Sequence, residues 1–260
     1  MNILIGVIIV TVIGLIAGVI LTAASKLFAV PVDETASKIR DVLPGANCGG
    51  CGYSGCDGYA EAVASSKAKP NLCSVGGAEA AAKIGEILGT EVEIAEKRTA
   101  VLKCKGTCDA TSKKFTYDGI ATCAAANMVH GGDASCEFGC LGYGDCTRAC
   151  EFGAASLENG IAHFDPELCT ACGKCAAACP RGLIELRPVS KTHTVSCSSK
   201  LNGAKQRKLC TAGCIGCMKC TKVCPSQAVT VENNLAKINY ELCTNCGACA
   251  ENCPTKCITL

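Results

Sequence analysis

Residues 210–224 read CTAGCIGCMKCTKVC, and Pro225 follows. Cys214, Cys217, Cys220 and Cys224 stand at C-x2-C-x2-C-x3-C-P, a ligand run for 4Fe–4S clusters. Seventy-four positions upstream, residues 136–150 read CEFGCLGYGDCTRAC. Cys140, Cys146 and Cys150 keep their places there, but Tyr143 stands where the later run has Cys217. The correspondence is not confined to this stretch. Cys123, Cys136, Cys140, Cys146, Cys150, Cys169, Cys172, Cys175 and Cys179 each recur 74 positions later, as Cys197, Cys210, Cys214, Cys220, Cys224, Cys243, Cys246, Cys249 and Cys253. One offset with no gap means a duplicated segment, each copy carrying two cluster motifs.

Proteins with two such runs exchange their fourth ligands between the runs. In the second copy this assigns Cys214, Cys217, Cys220 and Cys253 to one cluster, and Cys224, Cys243, Cys246 and Cys249 to another. In the first copy Cys150 joins Cys169, Cys172 and Cys175. The remaining set, Cys140, Cys146 and Cys179, is one ligand short, and Cys136 is its nearest complement. A relic and an open three-ligand site are the other readings. Cys104 and Cys108, with Cys123 and one partner, form a candidate sixth set, while Cys197, Cys210 and Cys257 stay without a role. Residues 153–165 (GAASLENGIAHFD) and 227–241 (QAVTVENNLAKINYE) predict β-hairpins turning at Asn-Gly and Asn-Asn. The modules are therefore expected to be ferredoxin-like and α+β. Zinc is the rival occupant, but three cysteines at i, i+3 and i+6 with a fourth before proline suit it poorly.

Another ligand set lies upstream. In residues 43–56, LPGANCGGCGYSGC, Cys48, Cys51 and Cys56 are completed by Cys73. Intervening glycines let the backbone close around a cluster and aim amides at sulfur. Gly50, Gly52 and Gly55 formally spell G-x-G-x-x-G. No strand precedes them and cysteines fill the variable positions, so a dinucleotide loop is rejected. Residues 57–68 and 78–89 predict helices, the second stopped by Gly89.

The first segment is of another kind. Residues 3–24 hold no charge and are mostly Ile, Val, Leu, Gly and Ala. As a helix they reach about 33 Å, a bilayer core. A cleaved signal peptide would want a basic start and a shorter apolar run. Lys26, Lys38 and Arg40 follow the segment, which predicts a cytoplasmic bulk. Gly14 and Gly18 form a G-x-x-x-G face for a neighbouring helix, unless they are ordinary membrane-helix glycines. Pro31 closes this region, and Val32, Ala36, Ile39 and Leu43 predict a short amphipathic linker helix.

Composition agrees. The 260 residues include 26 cysteines, no Trp, five Phe and five Tyr. An aromatic core is thin, and bound clusters supply folding energy in its place. Bunched cysteines in a long chain argue against a disulfide scaffold and for a reducing compartment. The formal charge of +2 counts thiols as neutral and says little about partners. His130, His163 and His193 are scattered, and no catalytic triad, flavin loop or nucleotide loop stands out. The chain is thus expected to move electrons and to bind no nucleic acid. Residues 181–208 hold Arg181, Arg187, Lys191, Lys200, Lys205, Arg207 and Lys208 against Glu185. They read either as a solvated linker or, through Lys205, Arg207 and Lys208, as a docking patch for an acidic redox partner.

An uncharged anchor, the GANCGGCGYSGC domain and then ferredoxin modules: this order resembles the B subunits of Rnf-type complexes, ion-translocating ferredoxin:NAD+ oxidoreductases of the plasma membrane. The resemblance covers nearly the whole chain. It implies a subunit that accepts electrons from soluble reduced ferredoxin and relays them to partner subunits bearing flavin, the NAD site and the Na+ or H+ path. It implies at least five 4Fe–4S clusters and a single-pass location with the bulk on the cytoplasmic side. The expected layout is an anchor over 1–26, a linker helix over 27–43, a 4Fe–4S domain over 44–96, and ferredoxin-like modules over 97–190 and 191–260. The alternatives are a membrane-tethered polyferredoxin serving a hydrogenase or other reductase without pumping, and a zinc scaffold.

Overall fold

The computed structural model describes residues 2–27, 33–94 and 96–259, and within its first helix the side chains of 11–24. Pro31, Val32 and the Lys26 side chain, used above for the end and orientation of the anchor, lie outside the described residues.

The first segment is helical throughout, α1 Asn2–Leu27. Between residues 11 and 24 the apolar side chains are exposed all round: Val12, Ile13, Leu15, Ile16, Val19, Ile20 and Leu21. A Cβ on Gly14 or Gly18 would meet nothing within 4 Å. Thr22 returns its hydroxyl to Gly18 O at 2.8 Å, so it adds no free donor to this surface. Among the described residues no helix is long and apolar enough to cross a membrane.

The next unit contains α2 Glu34–Val42, α3 Cys56–Ala64 and α4 Gly77–Leu88. Asp33 caps α2 by accepting from Thr35 N at 2.8 Å. Gly89 ends α4 in the left-handed conformation at φ 66°, where a Cβ is costly. The expected linker helix is not a free tether. Ile39 and Leu43 lie buried against Tyr59, Val63 and Ile84, so α2 is part of this unit's core. Burying an aliphatic side chain of this size contributes about 1.5–3 kcal/mol. Tyr59 carries its hydroxyl inside by donating to Lys69 O at 2.8 Å and accepting from Leu72 N at 3.1 Å.

The first module runs β1 Arg98–Leu102, α5 Cys123–Met128, α6 Asp145–Arg148, β2 Ala155–Glu158, β3 Ile161–Phe164, α7 Lys174–Ala178 and β4 Ile184–Pro188. The second runs β5 Thr194–Val195, α8 Gly203–Leu209, α9 Lys219–Val223, β6 Val229–Glu232, β7 Leu235–Ile238, α10 Ala248–Glu251 and β8 Ile258–Thr259. Both expected hairpins form, β2 against β3 and β6 against β7, antiparallel. Asn159 and Gly160 turn the first at φ 45° and 80°, and Asn233 and Asn234 turn the second at 49° and 62°. Two positive-φ residues match the right-handed strand twist. A second two-stranded sheet closes each module, β1 with β4 and β5 with β8.

The equivalence of those outer sheets gives the repeat a second register. Lys103 N donates to Leu183 O and Ser196 N to Cys257 O, both at 2.7 Å. Leu183 and Cys257 are 74 apart, but Lys103 and Ser196 are 93 apart. The first copy therefore carries 19 extra residues between its opening strand and Cys136. In space Cys104 corresponds to Cys197, which frees Cys123 for another task.

Candidate functional site

The ligand loops of the two copies wrap their thiols with the same backbone. Positive φ at Gly142 and Gly144 recurs at Gly216 and Met218, and that at Ala171 and Gly173 recurs at Asn245 and Gly247. Such turns point successive amides into a concavity. The loop around Tyr143 keeps this form although it lacks the usual cysteine, which argues against a decayed relic.

The thiols gather in foursomes. Burial raises Cys73, and Cys51, Cys56 and Cys48 raise it further. Burial pushes Cys175 up to about 11, with Cys169, Cys172 and Cys150 adding to it. Cys220 is likewise at about 11, through burial and then Cys214 and Cys217. Cys253 lines the same gap as those three. Cys249 is raised by burial and by Cys243 and Cys224, and Cys246 lies in the loop between them. These are four of the foursomes expected from the spacing.

The thiol that shares a gap with all three members of the incomplete set is not the expected one. Cys140, Cys146 and Cys179 share their gap with Cys123. Burial lifts the Cys146 thiol to about 12, and Cys140, Cys123 and Cys179 are the thiols that add to it. Cys136 lines a second gap, with Cys104, Cys197 and Cys210, and Cys140 stands in the wall of both gaps. The proposed grouping of Cys104, Cys108 and Cys123 is not brought together either. Cys108 is exposed, its amide donating to Asn159 O at 3.1 Å.

What carries Cys123 into place is Asp145. Its carboxylate accepts from Cys123 N and from Ala124 N, each at 2.9 Å, holding the first turn of α5 over α6. Thr122 caps the same helix through Ala125 N at 3.1 Å. Tyr143 turns away and donates its hydroxyl to Asp133 Oδ2 at 2.8 Å. Lys113 meets the same oxygen at 2.8 Å, and Tyr117 packs edge-on against Tyr143 at 5.6 Å. Burial would raise the Asp133 carboxyl, but hydrogen bonds from Lys113 and Tyr143 hold it below the usual range. Arg181, expected in an exposed basic linker, is half-buried and pins the extra loop through the Gly131, Cys136 and Gly139 carbonyls.

The donor chemistry suits thiolates bound to a cationic core. Amides of Gly76, Ala100, Ala171, Leu183 and Asn245 donate to Cys73, Cys169, Cys169, Cys179 and Cys243 sulfurs at 3.3–3.4 Å. Four thiolates in one gap would repel one another, and the cationic core of a cluster offsets that repulsion. Among the described residues, no group of three or more His, Cys, Asp or Glu is set to grip a single metal ion. The cage of a cluster holds its ligands farther apart than one ion does. A fifth thiol accompanies the Cys214 set. Cys257 is 2 % exposed, and its sulfur is 3.6 Å from that of Cys253. Its hydrogen bond to Cys214 raises Cys257 well above the usual thiol range, so it stays protonated and donates. Sequence spacing had no means of giving Cys257, Asp145 or Asp133 a role, because each acts across a tertiary contact.

The foursomes also touch in series. A Cβ on Gly50, in the Cys48–Cys56 loop, would lie 2.9 Å from Cys172 O. Cys146 and Cys175 share one core cluster. Cys140 N donates to Cys104 Sγ at 3.3 Å. Cys197 and Cys214 share the second module's core with Cys249.

Known proteins match along the chain. Residues 43–75 match the Fe-S cluster family, 162–185 the 4Fe-4S binding domain and 206–254 the 4Fe-4S dicluster domain. In Acetobacterium woodii, the B subunit of the Na(+)-translocating ferredoxin:NAD(+) oxidoreductase complex is 43 % identical over 247 residues, covering 95 % of this chain and 74 % of that one. The proton-translocating counterpart of Clostridium ljungdahlii is 42 % identical, covering 92 % of this chain and 84 % of that one. In Methanosarcina acetivorans, the B subunit of the ion-translocating oxidoreductase complex is 42 % identical, covering 89 % of this chain and 88 % of that one.

Proposed function

We infer the working of this chain from its kinship: it belongs to the B subunits of the ion-translocating ferredoxin:NAD(+) oxidoreductase complexes. It is an iron–sulfur electron-transfer subunit of such a multi-subunit oxidoreductase, and it binds several 4Fe–4S clusters. Kinship favours this over a membrane-tethered polyferredoxin serving a hydrogenase or other reductase without pumping.

The residues we assign to the clusters are Cys48, Cys51, Cys56 and Cys73; Cys123, Cys140, Cys146 and Cys179; Cys150, Cys169, Cys172 and Cys175; Cys214, Cys217, Cys220 and Cys253; and Cys224, Cys243, Cys246 and Cys249. Bound there, the clusters supply one-electron steps. The observation that carries the reading is the series of touching ligand loops from the second module back to the Cys48 domain. The protein residues set the path by holding the loops in contact, by keeping every assigned thiol but Cys217 and Cys246 at least partly buried, and by aiming amides at sulfur. Cys217 and Cys246 are exposed, so the second module is the entry end. The Cys48 domain, nearest α1 in the chain, is the exit end. The apolar surface of α1 suits a membrane, with Lys38 and Arg40 keeping the bulk cytoplasmic.

Soluble reduced ferredoxin, an acidic donor, fits the entry end. Lys205, Arg207 and Lys208 are exposed on α8, which packs on the Cys214–Cys217 loop: a Cβ on Gly203 would lie 2.7 Å from Ile215 O. Lys219 and Lys222 are exposed on the neighbouring α9. The test is stopped-flow reduction of the anaerobic complex by ferredoxin. Reversing Lys205, Arg207 and Lys208 to Glu should slow entry about ten-fold at low salt and flatten its salt dependence. Unchanged kinetics would remove this patch from the entry route.

A further inference from the structure

We propose that Cys104, Cys136, Cys197 and Cys210 hold a sixth 4Fe–4S cluster, built half by each copy of the repeat and joining the two modules electrically. The inference rests on the reading of the other foursomes as cluster sites.

Four observations converge on it. First, the thiols are buried together, at 9, 7, 6 and 7 % exposure for Cys104, Cys136, Cys197 and Cys210, and they line one gap. Second, the pairs are related by the internal symmetry of the fold. Cys104 and Cys197 each stand two residues past the opening strand of their module, and Cys136 and Cys210 are 74 apart. Each copy thus gives the same two ligands, and neither copy alone makes a set.

Third, the surroundings are those of bound thiolate sulfur. Gly106 N and Cys140 N donate to Cys104 Sγ, each at 3.3 Å. The amides of Cys214 and Ser199 do the same for Cys197. Gly106 and Gly139 form part of the wall, and a Cβ there would lie 3.4 Å and 3.8 Å, respectively, from Cys104 Sγ. Fourth, Gln206 also lines the gap. It is 1 % exposed, and its amide nitrogen and oxygen both lack a hydrogen-bond partner. A buried amide N–H without an acceptor is costly, and cluster sulfide is an acceptor it can reach from α8.

Position gives the site its use. Cys140, assigned to the cluster beside it in the first module, donates its amide to Cys104. Cys214, assigned to a cluster of the second module, does so to Cys197. The gap is where ligand loops of the two modules meet, so a cluster there lets an electron cross between copies. Assembly releases one proton from each of the four thiols as it binds iron. In the relay one electron enters and one leaves, with no bond made and no proton moved.

The experiment is iron and acid-labile sulfide analysis of the full chain, purified without oxygen. Wild type should hold about 24 irons, six clusters of four. The Cys104→Ala/Cys197→Ala variant should lose about four, and Cys136→Ala/Cys210→Ala the same four. The quadruple variant should lose no more, and Cys108→Ala none. Reductive titration of wild type by EPR gives an independent count, six one-electron centres rather than five, should the variants fail to fold. About 20 irons and five centres in wild type would overturn the sixth site alone. Losses that add in the quadruple variant would overturn the shared set. Iron near zero in wild type would overturn the cluster reading as a whole.

Discussion

Asp145 holds Cys123 beside Cys140, Cys146 and Cys179, and Asp145→Ala measures what that hold contributes to the cluster site proposed there. The substitution deletes two amide hydrogen bonds of 2.9 Å, from Cys123 and Ala124, and the ion pair with Arg148. Hydrogen bonds to a charged acceptor contribute about 1.5–3 kcal/mol each. The Thr122 cap survives in the variant and Arg148 is more than half exposed, so the ion pair adds little. A loss of about 3 kcal/mol for the Cys123 arm follows, which raises the frequency of its opening on the order of 100-fold. Asp145→Asn keeps one acceptor but not the charge and should open the arm about ten-fold more often. The assay is iron release to a strong chelator under anaerobic conditions, where local opening admits the chelator. One cluster's worth of iron, about four atoms, should leave faster in the order Ala, Asn, wild type, while the rest leaves at the wild-type rate. Equal rates in all three proteins, or uniform acceleration of all the iron, would refute the claim that Asp145 holds a single ligand arm.

Gly50→Ala places a Cβ 2.9 Å from the Cys172 carbonyl, so the Cys48 domain must shift off the first module. Iron content should stay at the wild-type value while electron transfer between the two, followed by freeze-quench EPR, slows at least several-fold; an unchanged rate excludes this contact as a step. Asp133 has a lowered carboxyl pKa, so its stabilisation is complete above the ordinary Asp value near about 3.9 and fades as pH falls through the lower folded value. Asp133→Asn should cost about 1–3 kcal/mol at neutral pH and flatten that acid limb in an unfolding series, whereas a parallel pH curve would show that Asp133 takes no part in it. Gly14→Leu/Gly18→Leu meets nothing within 4 Å inside the chain, so iron content and module stability should not change. If a partner helix packs on that face, the variant should fall out of the purified complex, and intact assembly would leave the two glycines as plain lipid-facing residues.

Much of the chemistry could be read in one dimension. The C-x2-C-x2-C-x3-C-P run and the Cys48–Cys51–Cys56–Cys73 set depend on contacts a few residues long. The hairpins likewise follow from Asn159-Gly160 and Asn233-Asn234, whose positive φ is a local preference. The expectation for the incomplete set was local too, because Cys136 is its nearest cysteine in sequence, whereas the fold brings Cys123 to its gap. In space the extra 19 residues shift the 74-residue register, and Cys104 takes the place opposite Cys197.

By itself the sequence determined that this is a duplicated, thiol-lined electron carrier with an apolar first helix. Short spacing leaves a chain few ways to present its cysteines, so those ligand groups are nearly forced. Only the tertiary structure decided which cysteines far apart in the chain line a common gap. Cys104 lies 32 residues before Cys136 and 93 before Cys197, and loop closure over such lengths costs nearly the same free energy for many pairings. Strand pairing between β1 and β4, the Asp145 hold on α5 and the meeting of the two copies choose among them.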